Sequence, residues 1–250
     1  MYATFMHMTH TLLFLDTETT GNQDEDRLTQ VAYTVRGSHE FVDELFKPPL
    51  PIKVEAMEVT HITNRMVEDK EPFQNSTTFF ALKKLFDDQT TVLVAHNAPF
   101  DVGMLEKEGL YPPLVIDTLR VARALDTEAK LTAFRLQYLR YLLDLDADIT
   151  EQIQAHDAKG DVIVLEKLFD RLLKKMIDQE GSEETALEKM IQISQEPVLI
   201  RRFSFGKYNG ALLEDVVKKD RGYLEWLLRQ KRESEDDEVD WIHTLEHFLQ

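Results

Sequence analysis

Three strand-like segments follow one another directly, and then helical and strand patterns alternate. This order constrains the fold more than any other feature of the chain. TLLFLDTE (11–18) reads as a buried strand ending in acids. RLTQVAYTVRG (27–37) alternates apolar and polar residues, as a half-buried strand does. EFVDELFKP (40–48) reads as its hairpin neighbour, with Gly37 and Ser38 at the turn. Pro48, Pro49 and Pro51 then break the sheet, and a loop-rich stretch runs through His61. TTFFALKKLFDD (77–88) predicts a helix and TVLVAHN (91–97) a short apolar strand. PFDVGMLEKEG (99–109) predicts a helix with Pro99 in its first turn and Gly109 at its end. LVID (114–117) is a further strand leading into TLRVARAL, and TAFRLQYLRYLLDL is another helix. Asp157 suits the N-cap of a long last helix, in which Val162, Leu165, Phe169, Leu172 and Met176 form one apolar stripe. Strands first, then alternation, imply an α/β domain with a mixed sheet flanked by helices.

The length of 250 residues holds one large domain, or one of about 150–200 residues with a small appendage. No run approaches the roughly 18 apolar residues of a membrane span, so no membrane association is expected. The opening MYATFMHMTHTLLFL has neither a basic n-region nor a cleavage site, which speaks against a secretory signal. The absence of cysteine excludes disulfides and thiolate metal sites. It fits a reducing compartment, and a cytoplasmic location is expected. The net charge of −17 argues against nucleic-acid binding through a simple basic footprint. It does not argue against a nucleic-acid enzyme, because a carboxylate-lined metal site carries negative charge of its own. Much of the remaining acid lies in GSEETALE near 181 and ESEDDEVD near 233, both read as solvated.

Four acids in three distant segments carry the chemistry. Asp16 and Glu18 are i and i+2 on a strand, so both project to one face and can reach one metal. Their oxygen ligands suit Mg²⁺ or Mn²⁺. Asp101 lies just inside a helix that follows a buried strand, beside the crevice where open α/β sheets gather their sites. His156 and Asp161 span a loop and the first turn of the next helix and can face one cleft. Each segment alone also has a plain structural reading. The first could be a strand end entering an acidic turn, the second a first-turn acid favoured by the helix dipole, the third a solvated helix start. His96 and Asn97 are read as shaping a turn, and Phe100 as core.

Taken together, DTETTG, HNAPFD and HDAKGD resemble the three motifs of the DEDD superfamily of 3′–5′ exonucleases, in its DEDDh branch. The resemblance covers roughly residues 10–178. Lys159-Gly160 departs from the small or apolar residues common in relatives and leaves all five positions intact. The resemblance implies a ribonuclease H-like fold and hydrolysis of nucleotides from a 3′ end, with two divalent cations, Mg²⁺ or Mn²⁺. It assigns Asp16, Glu18, Asp101 and Asp161 as metal ligands. His156 would take the proton from the attacking water, work suited to a side chain with a pKa near 6.5. Thr17 and Thr19 would hold the terminal nucleotide. Thr60, His61 and Ile62 match a segment whose apolar residue packs on the terminal base, with loop packing as the alternative.

Beyond Pro197 the character changes. Residues 198–232 hold nine Lys or Arg against four acids, a surplus of five in an otherwise acidic chain. The expected division is an exonuclease domain over 1–178, an acidic linker or loosely attached helix over 179–196, and a small α+β or helical module over 197–250. FGKYNG…DRGYLEWLL resembles an appendage of exonuclease X-like nucleases. In it Tyr223, Trp226 and Leu227 are read as core, and Lys207, Arg201 and Arg202 as phosphate contacts. The expected partner is a DNA 3′ end, single-stranded or frayed, with a polymerase or repair partner left open. An exoribonuclease of the same branch, a non-catalytic nucleic-acid-binding protein and an acidic interaction scaffold are the alternatives.

Overall fold

The computed structural model describes residues 10–147, 158–234 and 238–250. In chain order its first half comprises β1 (Thr11–Thr19), β2 (Leu28–Val35), β3 (Phe41–Leu45), α1 (Val54–Thr60), α2 (Asn64–Val67), α3 (Thr77–Asp87), β4 (Thr91–Ala95), α4 (Pro99–Lys107) and β5 (Leu114–Asp117). There follow α5 (Thr118–Leu125), α6 (Leu136–Leu142), α7 (Ala158–Glu180) and α8 (Glu183–Gln195). The last part contains α9 (Leu213–Lys219), α10 (Arg221–Glu233) and α11 (Val239–Leu249).

The sheet has the order β3-β2-β1-β4-β5. β1, β2 and β3 pair antiparallel, while β4 and β5 run parallel to β1. The mixed sheet follows from the connections. Short turns join the first three strands, and helices return the chain before β4 and β5. Side-chain alternation then splits the core in two. Leu12, Phe14, Val92, Val94 and Ile116 face α5, α7 and α8. Leu13, Leu15, Val31 and Leu93 face α3 and α4 through Leu82, Phe86, Met104 and Leu105. Phe169 of α7 meets Phe14 edge-on, with centroids 5.2 Å apart.

The α7 stripe is buried as its spacing predicts. Three segments differ from the sequence reading. The stretch after the prolines is not loop throughout, because 54–60 forms α1 beside a small cluster of Ile52, Ile62 and Val67. The helix expected over TAFRLQYLRYLLDL covers only its middle. Arg135 is still extended, and the Phe134 carbonyl is held by His96. The acidic stretch 179–196 contains α8, capped by Ser182. It is not loosely attached, since Ala186, Leu187, Met190 and Ile191 lie in the main core. Acid on one face concealed the apolar stripe on the other.

From residue 200 onward the described residues form an irregular stretch with one bridge between Arg202 and Leu212 and a 3-10 turn at Gly206–Tyr208, followed by α9, α10 and α11. Their core is Ile200, Phe203, Leu213, Val216, Leu224, Leu227 and Leu245. Tyr223 packs partly buried against it. Trp226 does not belong to it, being 45% exposed. Asp240 ties α11 to α5, 3.0 Å from Arg123 Nη1 and 3.4 Å from Arg120 Nη2, and accepts from the Val198 amide. Part of the ESEDDEVD run is therefore an anchor rather than a solvated face. Residues 235–237 of that run lie outside the described residues.

Candidate active site

β1 carries two functions on two faces. Thr17 and Thr19 are buried, whereas Asp16 and Glu18 between them are half-buried. The period of two that puts Leu12 and Phe14 against α7 extends to Asp16 and Glu18, so both acids point toward the helix that bears Asp161. Carboxylate oxygens of Asp16, Glu18 and Asp161 lie within 4.8 Å of one another. Three acids held so close repel unless protons or cations intervene. Their hard oxygen donors fit Mg²⁺ or Mn²⁺.

Asp161 sits in the first turn of α7 and is 8% exposed. It accepts a short hydrogen bond from Gln137 Nε2. Gln137 Oε1 accepts in turn from Arg140 Nη1 at 3.2 Å. Arg140 is buried and paired with Asp146 at 2.7 Å. Sequence reasoning passed over Gln137 and Arg140. Their i, i+3 spacing on α6 was the available signal, but nothing local to α6 points to Asp161.

Asp101 stands apart from the three-acid group. It lies in the first turn of α4, 3% exposed, and accepts a 2.8 Å hydrogen bond from Thr17 Oγ1. Burial pushes its pKa up to about 7, against the lowering effect of the Thr17 bond. Thr17 is thus turned inward onto Asp101, and Thr19 donates to the Gly21 carbonyl at 2.6 Å.

Asp117, also passed over, organises the turn between β4 and α4. Its Oδ1 accepts from the Asn97 amide at 3.0 Å and from the Leu119 amide at 2.9 Å, capping α5. Asn97 adopts a left-handed φ of 65° there. Burial raises the Asp117 pKa. His96 is neutral: burial lowers its pKa to about 4. The Phe134 carbonyl can only accept, so the proton of the neutral ring lies on Nε2 (2.7 Å), while Nδ1 lies 2.8 Å from Thr118 Oγ1, which is also 3.1 Å from the Ala95 carbonyl. Both residues position the edge of the sheet, as expected of a turn. Phe100 is not core; it is 37% exposed beside Asn97 and Pro99 in a surface crevice.

The glycine of DTETTG has a steric cause. A Cβ on Gly21 would fall 2.4 Å from Asp26 Oδ2. Asp26 is buried and accepts from Thr20 Oγ1 (2.7 Å), the Gln23 amide (2.8 Å) and Lys53 Nζ (2.9 Å). Burial opposes its charge, yet these bonds outweigh burial and lower its pKa.

The remaining predicted residues are dispersed. His61 is the exposed, left-handed C-cap of α1, and Ile62 is buried against Ile52 and Val67. Arg201 donates to the Thr127 carbonyl, and Arg202 to the carbonyls of Ala129 and Gly210, at the seam between body and C-terminal module. Lys207 pairs with Asp220 at 3.0 Å and lies over the Tyr208 ring. His156 lies outside the described residues. Among the described residues no helix is long and apolar enough to cross a membrane.

The profile of the exonuclease family matches residues 13–169, and a profile described as exodeoxyribonuclease X-like C-terminal matches 203–232. Exodeoxyribonuclease 10 of Escherichia coli (strain K12) is 29% identical over 242 residues, spanning 96% of this chain and 99% of its own. DNA polymerase III subunit epsilon of Treponema pallidum (strain Nichols) is 30% identical over 207 residues, spanning 77% of this chain and 91% of its own. Exonuclease X, solved in complex with 5′ overhanging duplex DNA, superposes with a TM-score of 0.57 at 25% identity, covering 73% of this chain and 99% of that one. A zinc-bound E. coli ExoI–ssDNA complex superposes at 0.52 with 26% identity, covering 68% of this chain and 43% of that one. The five-stranded sheet and its helices are those of the ribonuclease H-like exonucleases. The chain belongs to the exonuclease family, and is a nuclease hydrolase.

Proposed function

We propose that this protein is a 3′–5′ exonuclease that removes nucleoside 5′-monophosphates from DNA. The observation that carries the reading is the convergence of Asp16, Glu18 and Asp161 within 4.8 Å. Relatives named for DNA degradation, over nearly the whole chain, favour DNA over RNA.

In this reading Asp16, Glu18 and Asp161 would hold two divalent cations, with Asp101 as the fourth acid of the set. When bound, two such cations stabilise the attacking and leaving oxygens of an in-line displacement. Gln137 orients Asp161, and Arg140 fixes Gln137. His156 accepts the proton of the attacking water. Thr17 and Thr19 grip the terminal nucleotide through their backbone, since their hydroxyls serve Asp101 and Gly21.

The test is a product assay on 3′-labelled and 5′-labelled DNA and RNA strands, with Mg²⁺, Mn²⁺ or EDTA. Expected are mononucleotides from the 3′ end of DNA, dependent on metal and lost in Asp16→Ala. Undiminished release by Asp16→Ala rejects the site. Preferential release from RNA rejects the substrate.

A further inference from the structure

A cavity of about 520 Å³ lies at the seam where residues 129–135 of the body meet 199–204 of the C-terminal module. Four arginines line it: Arg123, Arg135, Arg201 and Arg202. Arg123 is matched by Asp240. The other three have no carboxylate partner among the described residues. Arg201 and Arg202 reach only backbone carbonyls, which leave their charge uncompensated. Arg202 Nε is a buried donor with no acceptor. Arg135 is exposed, and no hydrogen bond or ion pair engages its side chain among the described residues. Asp126 is the one acid on the lining, accepting from the amides of Lys130 and Leu131 and offsetting one positive charge. In a chain of net charge −17, three guanidiniums without an ion-pair partner, against that single carboxylate, mark a site for an anion. Arginine's planar fork suits phosphate oxygens in particular.

The rest of the lining suits more than a bare ion. Leu131, Phe134 and Ile200 supply apolar walls, and Thr132, Ser204 and Asn209 supply hydroxyls and an amide. That mixture, at this volume, is what a small organic ligand needs. The position is informative too. Leu119 and Arg135 also line a neighbouring cavity of about 730 Å³ that contains Asp161.

We propose that the seam between body and C-terminal module is a nucleotide-binding pocket. Its arginines take a phosphate and its apolar wall takes the base or sugar, next to the acidic site. The inference rests on the nuclease reading only for the source of the ligand. Two sources share the chemistry: a nucleotide unit of the bound strand, or a free nucleoside 5′-monophosphate.

The test uses the full chain in EDTA, so that nothing is cut. A 5′-fluorescein single-stranded DNA and a nucleoside 5′-monophosphate are titrated separately, across a range of salt. Arg135→Ala and Arg201→Ala should each weaken strand binding roughly tenfold and lower the salt slope by about 0.7 per lost phosphate contact. Ala133→Trp, which fills the cavity, should weaken binding without changing the slope. If only strands of several nucleotides show these losses, the ligand is a unit of the strand. If the monophosphate shows them, the ligand is the free nucleotide. Parent-like binding of both probes by all three folded variants overturns the pocket. Photo-crosslinking of a bromouracil-containing strand to the parent protein avoids any dependence on variant folding. Adducts within 129–135 or 199–209 are expected, and adducts confined elsewhere overturn the proposal. A parallel Mg²⁺ cleavage assay keeps the two readings apart. Cleavage by the parent with unchanged binding in the variants removes the pocket alone. Absent cleavage with lost binding in the variants removes the nuclease reading alone.

Discussion

Thr17 Oγ1 donates to Asp101 Oδ1 across 84 residues of chain, at 2.8 Å and fully inside the protein. The bond joins the buried face of β1 to the first turn of α4, directly behind the acids that β1 turns to the other side. It favours the ionised form of a carboxyl that burial otherwise keeps protonated near neutrality. Thr17→Val removes the donor at nearly constant volume. The expected loss is about 1–3 kcal/mol of stability, and the Asp101 pKa should rise further. In metal-free protein the pH at which Asp101 ionises should therefore move up, as read by the pH dependence of melting in EDTA, and Thr17→Ser should restore it. An unchanged pH profile in Thr17→Val would exclude this role for Thr17.

Asp101 and His96 set opposing pH dependences in metal-free protein. The Asp101 pKa rises from 3.8 unfolded to about 7 folded. The folded state thus keeps a proton that the unfolded chain has lost, and this contribution falls as pH rises from about 4 to 7. The His96 pKa drops from 6.5 to about 4. Here the unfolded chain binds the extra proton, so this contribution is complete above 6.5 and is lost as pH falls toward 4. Relative to the parent, the stability of Asp101→Asn should climb with pH across that window and that of His96→Gln should decline. Melting scans in EDTA read both slopes. Parallel profiles for the three proteins would contradict the assignment.

Metal addition should raise the melting temperature, because a ligand of the folded state alone stabilises it. With the oxygen site built from Asp16, Glu18 and Asp161, Asp16→Asn and Asp161→Asn should lose most of the Mg²⁺ or Mn²⁺ shift. Their apo melting should stay level with the parent or rise, as like-charge repulsion is relieved. Gln137→Ala should weaken metal affinity by about 10–100-fold, the usual effect of losing a residue that orients a ligand. A full metal shift in Asp161→Asn would rule out the site.

Asp240 is the hinge pin of the C-terminal module. Asp240→Ala leaves Arg120 and Arg123 facing each other on α5 without their shared carboxylate. Protease cleavage around residues 196–200 should speed up markedly, while the secondary structure of the body, read by circular dichroism, persists. Unchanged cleavage would show that the apolar contact of Ile200 and its neighbours holds the module unaided.

Gly21→Ala should destabilise the turn after β1, since its Cβ meets the buried Asp26 carboxylate. A loss of about 1–3 kcal/mol is expected, typical of overpacking. Gly37→Ala is a useful contrast: it has open space at Cβ and only a left-handed φ of 81° to contend with.

Local periodicity determined a large part of this protein. Alternation along 11–18 put Asp16 and Glu18 on one face, and the steps of three and four from Val162 to Met176 put one face of α7 inward. Both are properties of the chain's own geometry, so they are legible in the sequence before any partner is known. The three motifs likewise singled out Asp16, Glu18 and Asp161, whose carboxylates the fold brings together. Only tertiary structure decided what those residues meet. Thr17 became the partner of Asp101 because β4 and α4 return the chain beside β1. Gln137 reached Asp161 because α6 packs on α7 across 24 residues. The acids around α8 and Asp240 read as solvent-facing until long-range packing assigned one segment to the core and one carboxylate to a pair of arginines. Arg201 and Arg202, basic in sequence, became lining of a seam that exists only once two parts of the chain dock. Such contacts depend on where distant segments meet, and no window of neighbouring residues encodes that.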